Sequence, residues 1–214
     1  MILIEAPASS RLVEWGAAPL KPRQLLPREF YLRDPAEVAR SLLGKILVRI
    51  VNARRLACKI VEAEAYYGPE DPASRARRGG DLRKAMYGDV GAALIYGVHG
   101  RWLLNIVAHE EGGAGAVLIR SGEPVDGLDL MRKLRGVRDP RSLTTGPGRL
   151  TEAMAIDKSL HGKPVYTGDH GLWIELGEDV PSSLVARSRR VGVSKDLPTP
   201  LRFYIKGSLY VSRR

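Results

Sequence analysis

The feature that most constrains the fold is a series of short strand-like segments that follow one another without a regular alternation of strands and helices. Two of them cover 45–51 and 59–67, and the second has a period of two. A doubly wound parallel sheet needs that alternation, and the chain shows neither it nor an internal repeat. The sequence therefore predicts an α+β fold in a single domain, with a mostly antiparallel, curved β-sheet and surrounding helices. Further strand-like segments are 92–96, 102–107, 116–120, 172–176 and 201–205.

The clearest helix signal begins at Asp34, a residue type that caps helix N-termini. Pro35 follows at the first helical position, Glu37 completes a capping box, and Gly44 ends the apolar periodicity. This pattern predicts a helix that opens the folded part of the chain. Two further helices are predicted, over 124–134 and over 148–156.

Length and composition predict one domain with an N-terminal extension. The 214 residues fit one large domain because no segment has the composition of a linker. Residues 1–27 hold four prolines and few periodic apolar positions, so we expect a flexible extension there and a single domain over 28–214. No apolar run is long enough for a membrane span. One cysteine and four scattered histidines predict no structural metal.

Net charge is the composition value that says most about a partner. The chain has 34 Lys+Arg against 24 Asp+Glu, a net charge of +10, which favours a polyanionic partner such as a nucleic acid. The excess is concentrated in 75–84, 131–149 and 187–214, and most of it is arginine, which contacts phosphate in a bidentate manner. A solvated face would explain any one of these clusters equally well.

The segment 60–67 carries the strongest chemical signal. As a strand it places Glu62, Glu64 and Tyr66 on one face, with neighbouring carboxylates about 7 Å apart. One glutamate could then raise the pKa of the other and leave a base suited to activate water. An edge strand with a wet face would show the same pattern. A rigid acidic turn, 68–72, joins this strand to the arginine-rich segment.

These residues resemble a known enzyme family. The run EAEAYYGPEDPAS over 62–74 is similar to the signature strand and turn of the alkyladenine (3-methyladenine) DNA glycosylases, which excise alkylated and deaminated purines. The resemblance covers about 28–212, and further blocks match the family in order along the chain, one before this run at 38–45 and the others after it at 95–97, 104–106, 117–120, 145–150 and 200–207. It implies a monofunctional DNA repair glycosylase of base excision repair that flips a damaged purine out of duplex DNA and hydrolyses its N-glycosidic bond.

The resemblance also implies roles for single residues. Glu64 matches the general base that activates the attacking water, and Arg120 matches the arginine that helps to hold this water. Tyr66 matches one wall of the base pocket, and Asn105 the side chain that rejects the 2-amino group of guanine. Tyr96 matches the wedge that intercalates after the base has flipped.

Two base-pocket positions depart from the family pattern. Arg75 replaces a histidine, so its backbone N–H is expected to meet the base edge while its side chain is free to contact phosphate. Ala93 replaces a second stacking tyrosine and should leave the pocket open on one side, with Trp102 expected to pack in the turn rather than fill the gap. An open wall predicts a preference for cationic alkylpurines over hypoxanthine, because cationic bases leave most easily.

The remaining expectations concern the partner and the cellular setting. The resemblance implies duplex DNA containing damaged purines as the partner, a monomer, no metal or organic cofactor, and no membrane. A carbonyl within 190–193 is expected to accept a hydrogen bond from the attacking water. We expect a cytoplasmic, nucleoid-associated protein in a prokaryote and a nuclear one in a eukaryote. The residues predicted to contact the DNA backbone are Arg77, Arg78, Arg83, Lys84, Arg149, Arg202 and Lys206.

Other functions stay open from the residues alone. A protein of the same fold could bind damaged DNA without turnover, because positions 75 and 93 differ from the family. A nuclease could instead bind Mg²⁺ through Glu62, Glu64 and Asp71, and a chelator would distinguish it. The Gly-Pro-Gly run at 146–148 is also similar to the hairpin of helix-hairpin-helix repair proteins, but those glycosylases are mostly helical.

Overall fold

A computed structural model describes residues 24–213, and these residues form one antiparallel sheet with helices around it. Six strands lie in the order β3-β4-β5-β2-β1-β6, while β8 pairs with β2 and β7 pairs with β8. This arrangement confirms the predicted α+β fold with an antiparallel sheet. The strands are β1 (Ile46–Val51), β2 (Arg54–Tyr67), β3 (Ala93–Val98), β4 (Arg101–Val107), β5 (Gly115–Asp126), β6 (Leu172–Glu175), β7 (Val185–Ser188) and β8 (Arg202–Ile205).

The long strand β2 organises the sheet. One of its edges pairs with β5 along most of its length, and the other edge pairs first with β1 and then with β8. Because three strands and helix α1 (Pro35–Ser41) pack against it, most of β2 is buried, including its two glutamates. A buried carboxylate must find donors inside the protein, so this placement determines the chemistry of the site.

The predicted Asp34-capped helix is present as α1. The Asp34 Oδ1 atom accepts hydrogen bonds from the backbone N–H groups of Ala36 (2.8 Å) and Glu37 (3.3 Å), and Gly44 follows with a φ of +83°. The helix predicted over 148–156 is present, but it begins one residue earlier, at Pro147, and ends three residues earlier, at Ala153. The remaining helices are α2 (Gly80–Met86), α3 (Leu128–Arg135), α4 (Pro140–Leu143) and α5 (Pro147–Ala153).

The prediction of a helix over 124–134 was wrong at its start. Pro124 pairs with Cys58, so β5 continues to Asp126 and the helix begins only at Leu128. Gly127 separates the two elements: its φ is +75°, and a Cβ there would stand 2.4 Å from a methyl of Leu56. A proline that can pair at a strand position and a glycine in the left-handed region therefore overrode the helix signal.

The described end of the predicted extension joins the sheet. Leu26 is buried, and its N–H donates to the carbonyl of Ile174 at 3.0 Å, while Leu176 donates to the carbonyl of Gln24 at 2.8 Å. Residues 24–26 therefore lie along β6. The rest of the predicted extension, 1–23, lies outside the described residues. Within 24–213, no helix is both long and apolar enough to cross a membrane.

Candidate active site

A cleft of about 650 Å³ opens beside the middle of the sheet. Its sides are the 3₁₀ turn Arg75–Arg78, the β3–β4 hairpin, the start of α5 and the segment 191–194. Its lining combines aromatic rings with guanidinium groups, which suits a flat group carried on an anionic chain. The lining residues include Tyr66, Arg75, Tyr96, Arg101, Arg120 and Val191.

An irregularity in β5 directs Arg120 toward both glutamates of β2. Glu62 pairs with Ser121 and Ala63 with Ile119, so Arg120 between them has no partner in the ladder. Such a bulge re-aims a side chain. The Arg120 guanidinium lies 3.1 Å from a carboxylate oxygen of Glu62 (through Nε) and 3.2 Å from one of Glu64 (through Nη1).

Glu64 lies directly beneath the cleft. It has no exposed surface, and its carboxylate accepts hydrogen bonds from the Tyr66 hydroxyl (2.8 Å), the Val191 N–H (2.7 Å) and Arg120. All three donors line the cleft.

The pKa of Glu64 is raised above its ordinary value. Burial is the largest cause, and the nearby charge of Glu62 adds a smaller increase. Arg120, the Val191 N–H and the Tyr66 hydroxyl act in the opposite direction because they stabilise the ionised form. The result is a carboxylate that takes up a proton more readily than a solvent-exposed glutamate, as a general base must.

Glu62 is enclosed differently, although it is the same residue type on the same face. It accepts hydrogen bonds from Arg120, from Arg202 Nε (2.7 Å), and from both the N–H (2.6 Å) and the hydroxyl (2.9 Å) of Ser212. Arg202 and Ser212 do not line the cleft. Through these bonds Glu62 holds the segment around Ser212 in place, and of its donors only Arg120 belongs to the cleft wall.

The wall formed by Tyr66 is supported from behind by Arg190. This guanidinium lies 4.5 Å from the centre of the Tyr66 ring and has no exposed surface. It forms two hydrogen bonds with Asp71 (2.6 and 2.7 Å) and two with Asp196 (2.9 and 2.7 Å). Because Val191 is the next residue, these bonds also fix the N–H that donates to Glu64.

The opposite side of the cleft is formed by Tyr96 and Arg75. The Arg75 guanidinium lies 5.3 Å from the centre of the Tyr96 ring. Asn105 is buried on the neighbouring strand, where its Nδ2 donates to the carbonyl of Leu94 at 3.2 Å. Burial raises the pKa of the Tyr96 phenol, against the smaller lowering effects of Arg75 and Asn105. The structure thus brings together Glu64, Tyr66, Arg75, Tyr96, Asn105 and Arg120.

Ala93 is not part of this cleft, which corrects the prediction of an open wall. It lies in the main core with Ile95, whereas Leu94 and Tyr96 on the other face of β3 pack toward Tyr66. Trp102 does not face the cleft either, because its ring lies over Gly97 and the side chain is 40% exposed. The period-two alternation of β3 and β4 therefore places Ala93 and Trp102 outside the cleft.

Six of the seven residues predicted to contact DNA fall into three groups. Arg77 and Arg78 line the cleft; Arg83, Lys84 and Arg149 are exposed on the adjoining helices α2 and α5. Lys206 is exposed away from the cleft, where its ammonium group donates to the carbonyl of Ser183 at 2.7 Å.

Arg202 is the exception among the predicted DNA contacts. It is 5% exposed, and its guanidinium donates to Glu62, to the Ser188 hydroxyl and to the Arg213 carbonyl. A guanidinium that is enclosed in this way does not reach a DNA backbone, so this expectation is corrected. The residue pairs inside the sheet because Glu64 opposes it in the β2–β8 register and Glu62 lies beside it on the same face.

Two arginines at the site were not predicted. Arg101 on β4 lines the cleft and forms an ion pair with Glu152 at 3.3 Å. It pairs with Val98 in the hairpin, and since paired residues share a face of the sheet, the hairpin register is the signal that could place it at the cleft. Arg190 lies in a basic run of the sequence, which does not distinguish it from exposed arginines. Its partner Asp71 is 119 residues away, a separation that no local pattern reports.

The alternative of a metal-dependent nuclease finds no matching arrangement. Its three proposed ligands do not converge, since Glu62 and Glu64 face Arg120 whereas Asp71 faces Arg190. Between residues 24 and 213 no group of three His, Cys, Asp or Glu side chains is placed to hold a metal ion.

A second cleft of about 840 Å³, next to α1, contains none of the predicted site residues.

The fold and the cleft define an α+β domain with a buried carboxylate beneath a basic, aromatic-walled cleft, and the chain is similar to proteins of one family. Residues 29–209 match the family described as methylpurine-DNA glycosylase (MPG). An Aeropyrum pernix protein named "Putative 3-methyladenine DNA glycosylase" is 52% identical over 192 residues, 89% of this chain and 94% of that protein. A Carboxydothermus hydrogenoformans protein with the same name is 43% identical over 89% of this chain and its own full length. The chain belongs to the methylpurine-DNA glycosylase family.

Proposed function

We propose that this protein is a monofunctional DNA glycosylase that flips an alkylated or deaminated purine out of duplex DNA and hydrolyses its N-glycosidic bond. The observation that carries the proposal is Glu64, a buried carboxylate with a raised pKa whose three hydrogen-bond donors all line the cleft. Such a group is suited to accept a proton from a water molecule that attacks a sugar carbon. Family membership supports the same reaction.

The proposed chemistry assigns one step to each group. Glu64 takes the proton of the water that attacks C1′ of the deoxyribose, and the purine leaves with the electron pair of the glycosidic bond. Arg120 keeps Glu64 ionised and holds it in place through its bond to Glu62. Because Glu64 is fully covered, a shift of the Tyr66 hydroxyl or of Val191 on substrate binding must first admit the water.

The cleft walls suit a flipped base. The target bond cannot be reached while the purine is stacked, so the base must leave the duplex. Tyr66, supported by Arg190, provides one stacking surface. Tyr96, proposed to enter the duplex as a wedge, lies with its ring against Arg75 and would have to rotate toward the DNA. Asn105 is proposed to exclude guanine.

The basic residues around the cleft are proposed to bind the DNA backbone. Arg77 and Arg78 lie on one side and Arg101 on the other, with exposed Arg83, Lys84 and Arg149 extending both sides. Phosphate contacts of this kind position a protein on DNA without reading sequence. That behaviour is what an enzyme that searches for rare lesions requires.

Single-turnover release of free base tests the proposal. The full chain is mixed in excess with duplexes that contain hypoxanthine or 7-methylguanine, and the released base is measured with and without a chelator. We expect release that is insensitive to the chelator and absent with Glu64→Gln. Tight binding with no release from any modified duplex would favour the non-catalytic damage-binding alternative, and chelator-sensitive strand cleavage would favour the nuclease.

A further inference from the structure

Arg75 differs from the other two buried or half-buried arginines around the base pocket. Arg120 contacts Glu62 and Glu64, and Arg190 contacts Asp71 and Asp196. Arg75 is half-buried and lines the cleft, but no carboxylate of residues 24–213 lies within ion-pair distance of it. Its positive charge is therefore available to whatever enters the cleft.

The backbone holds Arg75 in a defined place. The Ser74 hydroxyl accepts a hydrogen bond from the Ala76 N–H at 3.1 Å and caps the 3₁₀ turn that Arg75 begins. The Ser74 N–H in turn donates to the carbonyl of Asp71, which is fixed by Arg190. The guanidinium then lies over the Tyr96 ring, and Arg75 is less exposed than Arg77 and Arg78, which line the same cleft.

The chemistry of a guanidinium limits what it can recognise. It donates hydrogen bonds and accepts none, and it stays charged at all relevant pH values. The O6 and N7 atoms of a 6-oxopurine are two adjacent acceptors that arginine recognises in a bidentate manner. A 6-aminopurine presents a donor at the same edge, and a cationic alkylpurine adds repulsion between like charges.

From this geometry we propose that Arg75 makes the pocket selective for neutral 6-oxopurines, represented by hypoxanthine, over cationic alkylpurines. The inference rests on the proposed function and names the substrate class of the same cleft. It reverses the preference expected from an open wall at Ala93, because Ala93 lies in the core and Arg75 lies in the cleft. Arg75 is thus a specificity-determining residue of the proposed reaction.

The test compares two substrates in one format. Single-turnover rates of base release are measured for a hypoxanthine duplex and for a duplex carrying cationic 7-methylhypoxanthine, which also lacks a 2-amino group, with the wild type, Arg75→Gln, Arg75→Lys and Arg77→Ala. We expect Arg75→Gln to lower the hypoxanthine rate by at least about tenfold while the 7-methylhypoxanthine rate is unchanged or higher. Arg75→Lys keeps the charge but not the planar pair of donors, so the 7-methylhypoxanthine rate should stay low and the hypoxanthine rate should fall.

Arg77→Ala is the matched control, because Arg77 is an exposed arginine of the same turn and should affect both substrates equally. If Arg75→Gln also lowers both rates equally, Arg75 is a phosphate contact and the inference is overturned. An unchanged ratio of the two rates overturns it as well. A wild type that releases no base from any duplex contradicts the proposed function itself, and the inference fails with it.

Binding gives an independent measurement. In the Glu64→Gln background, which should bind without cleaving, adding Arg75→Gln should weaken affinity for the hypoxanthine duplex by at least about tenfold relative to an undamaged duplex. An equal loss for the damaged and undamaged duplexes would again indicate a phosphate contact.

Discussion

Glu62 and Glu64 are two residues apart on one strand, equally buried, and both contact Arg120, yet their surroundings give them different chemistry. Glu64 receives three donors, all of which belong to the cleft wall. Glu62 receives four, of which only the one from Arg120 belongs to that wall. The comparison shows that the position of the donors relative to the cleft, rather than residue type or burial, separates a candidate base from a structural carboxylate.

The largest effect should come from removing the charge of Glu64. Glu64→Gln keeps the shape of the side chain but cannot accept the proton, so single-turnover base release should fall by about 10²- to 10⁴-fold. Affinity for a lesion duplex should stay within about tenfold because binding depends on the arginines and aromatic walls. A Glu64→Gln protein that still released base at the wild-type rate would reverse the roles of the two glutamates.

Glu62→Gln should instead affect stability. It leaves Arg202 buried without its carboxylate and weakens two bonds to Ser212, so the free energy of unfolding should fall by about 3 to 5 kcal/mol. Base release by the protein that remains folded should stay within about tenfold of the wild type. Denaturant titration measures the first effect. The matched control is Glu123→Gln, which removes a partly exposed ion pair with Lys59 and should cost less than about 1 kcal/mol.

The pH dependence sharpens the contrast. Because the pKa of Glu64 is raised, the rate of base release should increase with pH, with an apparent pKa above the ordinary glutamate value of 4.5. The ionised form is disfavoured in the folded state, so the contribution of Glu64 to stability is present below its unfolded pKa and is lost as the pH rises through its folded pKa. Glu64→Gln should therefore gain stability relative to the wild type as the pH rises. A constant difference between pH 4 and pH 8 would contradict the raised pKa.

The smallest effects should come from replacing single basic residues that contact neither Glu62 nor Glu64. If the cleft rim contacts phosphates, log K for duplex DNA should fall with log salt at a slope of about −4 to −6. Arg77→Ala should reduce that slope by about 0.9, since one phosphate contact is lost. Lys133→Ala, an exposed change on α3 away from the cleft, should leave it unchanged. A wild-type slope near −1 would favour solvated faces over a DNA surface.

Local patterns predicted the elements that depend on neighbouring residues. The Asp34 cap, the β3–β4 hairpin and the period of β2 are determined within a few positions, and each is present. The same period applies to β3. Because odd and even positions of a strand point to different faces of the sheet, Ala93 and Tyr96 lie on opposite faces. The pocket role expected for Ala93 depends on its match to a family position, whereas the alternation of β3 directs Ala93 into the core.

Sequence alone determined the sheet type, the capped helix, the strand that carries Glu62, Glu64 and Tyr66, and the family resemblance, because these depend on short spacings. Tertiary structure decided which glutamate lies under the cleft, that Arg202 is enclosed, and that Arg190 supports Tyr66 while Arg75 keeps an uncompensated charge. Arg190 and Asp71 are 119 residues apart, and Glu62 and Ser212 are 150 apart. Whether an arginine is free or neutralised depends on such distant partners, which only the packing of the sheet brings within hydrogen-bond distance.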